Sequence, residues 1–289
     1  MLKDSKYKTE WLLLVLTHSN DQPFYQNVLN DSGIQSTIVN VSEDNNYMTK
    51  CHTAVSISET INTPYMMKCD NDVLLPAQTL DYMIENLSLL DDPKHLTLGP
   101  VLSSGIPGVE YFAREFLSDD QRVELEKKYL QTTFYDRDGA QYSYLNAHTT
   151  QTNQWNCASF FEGVKQSAHH YKGVHPIRFN MDAIAYLNEC ILNTKLKFFN
   201  CKPDGIHMDP ISPYLCDTIF CIRRDIYKSI INDPSLFVDG YDEVPLNKYA
   251  WMHGLSHLFT KNGFAIHILY NWFDTIFEYE QDFCTKLFA

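Results

Sequence analysis

The chain carries no Gly-x-Gly-x-x-Gly and no Gly-x-x-x-x-Gly-Lys-Ser/Thr. Neither the dinucleotide fingerprint nor the glycine-rich phosphate cradle is therefore available. None of its eight cysteines stands in a Cys-x-x-Cys pair, which removes the usual zinc and redox spacings. Several of them, Cys201 and Cys221 among them, lie in apolar runs, so reduced, buried thiols of a cytosolic protein are expected. Basic charge is short: 23 Lys and Arg against 36 Asp and Glu give a net charge of -13. That balance speaks against a protein that tracks nucleic-acid phosphates. Long hydrophobic runs are missing too. The first apolar run, Trp11–Leu16, is far too short to span a bilayer and comes after Lys3, Asp4, Lys6 and Lys8 rather than a secretory leader. Together these absences predict a soluble, cytoplasmic protein without a transmembrane segment or a nucleic-acid partner. Any nucleotide it holds needs its phosphate charge met by something other than a glycine loop.

What is there reads as α/β. With 289 residues, 44% hydrophobic and 13% aromatic, the chain is long enough for a substantial core. Trp11–Leu16 reads as a central strand covered on both faces. Gln22–Leu29 then reads as a helix, 36–41 as a strand, 48–61 as a helix, 65–69 as a strand, a helix from Ala77, and 96–102 as a strand. This alternation predicts a doubly wound α/β fold, with a mostly parallel central sheet flanked by helices. Ligands of such sheets bind beyond the carboxyl ends of the strands. Thr17-His18, Glu43-Asp44 and Asp70-Asn71-Asp72 all fall there.

The most informative stretch is Thr63–Pro76. Pro64 suits the first residue of a strand, Tyr65–Cys69 is short and apolar, and Asp70 and Asp72 come next at a spacing of two. A turn after Asp70 converges both carboxylates on one hard cation, Mn²⁺ or Mg²⁺, which takes oxygen ligands from carboxylates and phosphates together. The alternative is an ordinary surface turn, since Asp and Asn are common turn residues.

In this order of strands and helices leading to Asp70-Asn71-Asp72-Val73-Leu74-Leu75-Pro76, the chain resembles the GT-A glycosyltransferases of the broad family 2 type. The resemblance implies a metal-dependent transfer of a sugar from a nucleotide-sugar donor to a hydroxyl acceptor, expected to be a glycan, with inversion. It implies that Asp70 and Asp72 bind the cation, that Thr17, His18, Glu43, Asp44 and Asn71 contact the nucleotide, and that Lys50 lies near the phosphates. Residues 1–102 become the nucleotide-binding half and 103–289 the elaborated acceptor-binding half of one domain.

A second region agrees in part. Thr218–Ile222 is an apolar strand running into Arg223-Arg224 and a short helix, with Asp239-Gly240-Tyr241-Asp242-Glu243 beyond it. The resemblance makes Arg224 a phosphate contact and places the general base at Asp242 or Glu243, with Asp209 and Asp217 in reserve. The residue-level alternatives are a surface arginine pair and an acidic helix cap. The family's later acidic pair is absent, with Asn247 standing in its region. His267, in an apparent late strand, resembles the third metal ligand of some GT-A enzymes; a hydrogen-bonded core histidine is the alternative. His253 and His257 fall four apart on a helix expected over 247–259, without the Glu of His-Glu-x-x-His. Two rival functions remain: a nucleotidyltransferase that makes sugar nucleotides, and a GT-A scaffold that binds without catalysing.

Overall fold

The structure, a computed structural model, describes residues 5–7, 12–17, 22–30, 32, 34–40, 47–60, 62–70, 73–75, 77–102, 109–130, 133–135, 141–143, 148–149, 154–155, 181–193, 198–205, 213–237 and 244–267. In chain order these give β1 (Leu13–Thr17), α1 (Gln22–Asn30), β2 (Ser36–Asn40), α2 (Tyr47–Thr60), β3 (Tyr65–Cys69), β4 (Val73–Leu74), α3 (Ala77–Glu85), β5 (His95–Leu102), α4 (Val109–Phe116) and α5 (Asp119–Leu130). Two small hairpins come next, β6 (Thr133–Tyr135) with β7 (Gln141–Ser143) and β8 (His148–Thr149) with β9 (Gln154–Trp155). The chain then forms α6 (Met181–Leu192), β10 (Phe198–Cys201), β11 (Ile219–Arg223), α7 (Arg224–Ile231), α8 (Val244–His253) and β12 (Ser256–His267).

The fold is α/β, and its main sheet is mixed. The strand order is β10-β12-β5-β11-β3, with β4 added against the far end of β12. Of its five ladders only β5–β12 is parallel, so the expectation of a mostly parallel sheet is corrected. Two of the antiparallel ladders come from β11, which enters between β3 and β5 and runs against both, and the other two are those of β10 and β4 with β12. A hydrophobic run reports burial and is silent about direction. β1 and β2 form a separate parallel pair, and β1 is half-buried where a central, fully covered strand was expected. The strand that fits that description is β11, buried from Ile219 to Ile222.

Alternation along β11 divides the core. Phe220 and Ile222 pack with Phe199 and Phe259 against the larger helical layer, including Val55 of α2, Phe116 of α4, Leu187 of α6 and Leu246 of α8. Ile219 and Cys221 face the other way, toward Leu80 and Met83 of α3. β5 and β11 approach closely: a Cβ on Gly99 would lie 3.1 Å from the Ile219 carbonyl oxygen. No helix among the described residues is long and apolar enough to cross a membrane.

The helix expected over 247–259 is also corrected. It ends at His253, and β12 begins at Ser256. Gly254 sits at φ +66°. Its N–H donates to Trp251 O at 3.2 Å, and Leu255 N–H donates to Ala250 O at 2.8 Å. This is the paired Schellman arrangement that stops a helix on a left-handed residue.

Candidate functional site

β3 delivers Asp70 to the lip of the main sheet. The Asp70 N–H donates to Thr218 O at 2.9 Å, carrying the β3–β11 ladder one residue past Cys69. Residues two apart in an extended chain share a face, so Lys68 and Asp70 stand side by side. Lys68 Nζ lies 2.8 Å from Asp70 Oδ1 and 3.2 Å from Asp217 Oδ1. It also donates to the Asp217 carbonyl oxygen at 2.6 Å. The Asp217 side chain is 4% exposed and that of Asp70 37%. Burial alone would lower the Lys68 pKa, but the charges of Asp217 and Asp70 outweigh it and hold the ammonium well above its ordinary range. A permanent cation thus sits between one buried carboxylate and one that faces outward. As a reserve general base Asp217 is corrected, because a buried carboxylate held by Lys68 does not face an acceptor.

The first turn of α8 is fastened to the same edge. Leu215 N–H donates to Asn247 Oδ1 at 2.9 Å, and Asn247 Nδ2 donates to Leu215 O at 2.8 Å. Asn247 is fully buried. Its primary amide supplies one donor and one acceptor and so reproduces the double exchange of a strand pair. The region expected to offer an acidic pair therefore holds a structural amide, clamped to the segment that carries Asp217. Asp242 and Glu243 lie outside the described residues.

β12 reaches the edge from the other side. Its register sets Ile266 opposite Leu74 and His267 opposite Val73, the residue after Asp72. Asn71 and Asp72 are outside the described residues, as are His18, Glu43, Asp44 and Asp209. Thr17 is the last residue of β1, in the separate β1–β2 pair. Lys50 is in the first turn of α2 and half-buried. It lies about 12 Å along the helix axis from Ser58.

Arg224 is not brought to Asp70. Because β11 runs against β3, Arg223 pairs with Tyr65 and the Arg224 N–H donates to Pro64 O at 2.9 Å. Five residues of strand, about 16 Å, separate that end from Asp70. The Arg224 guanidinium donates from Nη1 to Ser58 O at 2.9 Å. Its role as a phosphate contact beside Asp70 is corrected on this geometry. Arg224 instead lines a cavity of about 380 Å³ with Pro64, Tyr65, Asp91, Arg223 and Asp225. There Arg223 is held by a two-bond contact to Asp225, at 3.1 and 2.5 Å.

The two histidines expected on one helix are separated by the turn at Gly254. His253 is exposed at the end of α8, where its ring lies 4.2 Å from that of Tyr249. His257 is fully buried in β12, with Nδ1 2.8 Å from Thr97 Oγ1. Desolvation lowers its pKa to about 3, so it is neutral.

Lys68 is the residue that the sequence pattern did not single out. The available signal was its spacing of two from Asp70, which puts both on one face of the strand. Asp70 is a partly exposed carboxylate, an oxygen donor of the kind a hard cation takes, but its charge is already met by the Lys68 ammonium. Among the described residues no three metal-ligating side chains come together. No protein-family model matches this chain, and no curated protein or solved structure matches it.

Proposed function

We propose that the chain is a metal-dependent GT-A glycosyltransferase, family 2-like, that moves a sugar from a nucleotide donor to a hydroxyl acceptor, expected to be a glycan, with inversion. The observation that carries this reading is convergence at one edge of the sheet. Lys68 bridges Asp70 to Asp217, whose segment holds α8, and β12 sets His267 opposite Val73, three residues after Asp70.

Asp70 and Asp72, with His267 as a further ligand, would hold Mn²⁺ or Mg²⁺, which would supply the charge that stabilises a leaving nucleoside diphosphate. Asp242 or Glu243 removes the acceptor hydroxyl's proton, a contribution typically of ~10²–10⁴-fold. Thr17, His18, Glu43, Asp44 and Asn71 hold the nucleoside, and Lys50 stands on the phosphate side. Arg224 has no part in this scheme.

One specific observation favours a second reading, a scaffold that binds donor without transfer: Asn247 is committed to the Leu215 backbone, leaving the base to the preceding loop alone. Donor hydrolysis separates the two. UDP-, GDP-, CMP- and dTDP-sugars are incubated with the protein, with and without Mn²⁺, beside a thermal-shift panel of the same ligands. The enzyme reading expects Mn²⁺-dependent release of nucleotide that Asp72→Ala abolishes while the circular dichroism spectrum is unchanged. Hydrolysis that survives Asp72→Ala overturns the metal site. Stabilisation by a donor with no hydrolysis favours the scaffold.

A further inference from the structure

We infer that Lys68 is the resident counter-ion of Asp70, and that a divalent cation reaches this carboxylate only in competition with it, so that Lys68 sets the cation affinity of the edge. This rests on the reading of Asp70 as a metal ligand and adds to it the residue that regulates occupancy. An ammonium has three donors, and three acceptor contacts surround Lys68 Nζ. Two are to Asp217, its carbonyl oxygen at 2.6 Å and Oδ1 at 3.2 Å, and one is to Asp70 Oδ1 at 2.8 Å. The lysine is therefore anchored on the Asp217 side. It can yield Asp70 and keep its other two contacts. The exposures agree, since Asp217 is 4% exposed while Asp70, at 37%, is the carboxylate an arriving ion meets first.

The direction of the effect comes from charge. A dication on Asp70 lies within a few ångströms of the ammonium, and even a water-like dielectric makes that repulsion worth about tenfold or more in binding constant. Removing the ammonium tightens cation binding. Removing the Asp217 charge leaves the ammonium committed more fully to Asp70 and loosens cation binding. The two substitutions act in opposite senses, which a general loss of structure does not produce.

The test is titration of the full chain with MnCl₂ alone, read by calorimetry, on the wild type, Lys68→Gln, Asp217→Asn and Asp72→Ala, each checked for a native circular dichroism spectrum. Lys68→Gln is expected to bind Mn²⁺ about tenfold or more tightly than wild type, and Asp217→Asn more weakly. If Lys68→Gln does not fold, the near-isosteric Asp217→Asn carries the test. Unchanged affinity in Lys68→Gln, or tighter binding in Asp217→Asn, overturns the inference. When wild-type binding is abolished by Asp72→Ala yet indifferent to Lys68, the metal reading stands and the competition falls. When Mn²⁺ binds only after Lys68→Gln, the competition stands and the metal-dependent reading of the native protein falls. No binding in any variant overturns both.

Discussion

Replacing the Asn247 side chain by a methyl group strips two bonds at once, because the amide both accepts from Leu215 N–H and donates to Leu215 O. Each backbone group left unsatisfied in this buried position costs about 1–3 kcal/mol. Asn247→Ala is therefore expected to lower the urea midpoint with the slope unchanged, and an unaltered midpoint would show that the clamp contributes nothing. Asn247→Asp, which writes an acidic residue back into this region, keeps the acceptor, loses the donor and buries a charge, so it too destabilises. His257 makes a prediction in pH. Desolvation lowers its pKa from the ordinary 6.5 to about 3, and its Nε2 has no hydrogen-bond partner among the described residues. Between those values the unfolded chain binds a proton that the folded chain refuses, so this contribution is complete above 6.5 and is lost as pH falls toward 3. Urea midpoints measured across that window should fall more steeply for the wild type than for His257→Gln. Parallel curves would mean that His257 is not the group responsible. In the sequence, Asn247 reads as a departure from the family pattern and His257 as half of a helical pair. Neither residue type announces its partner, and both partners, Leu215 and Thr97, are distant in the chain.

At the level of elements, Gly254 decides how the chain leaves α8. Its left-handed φ of +66° closes the helix at His253 and releases the chain into β12. An alanine there adopts the same backbone at a cost of roughly 1–2 kcal/mol. Gly254→Ala should lower the thermal midpoint by several degrees, and a variant as stable as wild type would mean that the turn does not need its glycine. β3 was legible residue for residue, Tyr65–Cys69, because Pro64 opens it and Asp70-Asn71-Asp72 closes it. α1, α2, α3 and β5 were legible to within a few residues for the same reason, apolar period bounded by breakers. The 247–259 span misled because Ala250, Leu258 and Phe259 are apolar on both sides of the glycine, and the helical count continued through it. Strand direction was not legible at all. β11 has an ordinary buried-strand sequence, and only the path of the preceding segment fixes that it enters antiparallel and so carries Arg223–Arg224 away from Asp70.

Among the six described cysteines Cys69 alone is exposed and the other five are buried. Burial pushes the Cys221 thiol up to about 12 and the Cys201 thiol well above its ordinary range. Since the thiolate is the reactive form, iodoacetamide on the native protein should label Cys69 first among these six, as read by peptide mass mapping. Labelling of Cys221 at the same rate without denaturant would contradict the buried arrangement of β11. Cys69 adjoins Asp70, so protection of its thiol by Mn²⁺ with a nucleotide sugar would also report occupancy of the proposed site. The α/β class, most early elements and the placing of Asp70 at the end of a short strand were written in the order of residues. Local periodicity and breakers suffice for those, because each depends on neighbours within a turn or a strand. Three-dimensional pairing was needed to bridge Asp70 to Asp217 through Lys68, to clamp Leu215 with Asn247, and to set His267 opposite Val73 while Arg224 goes to the far end. Those pairings join residues far apart in the chain, and strand order and direction, which no local pattern encodes, determine which of them meet.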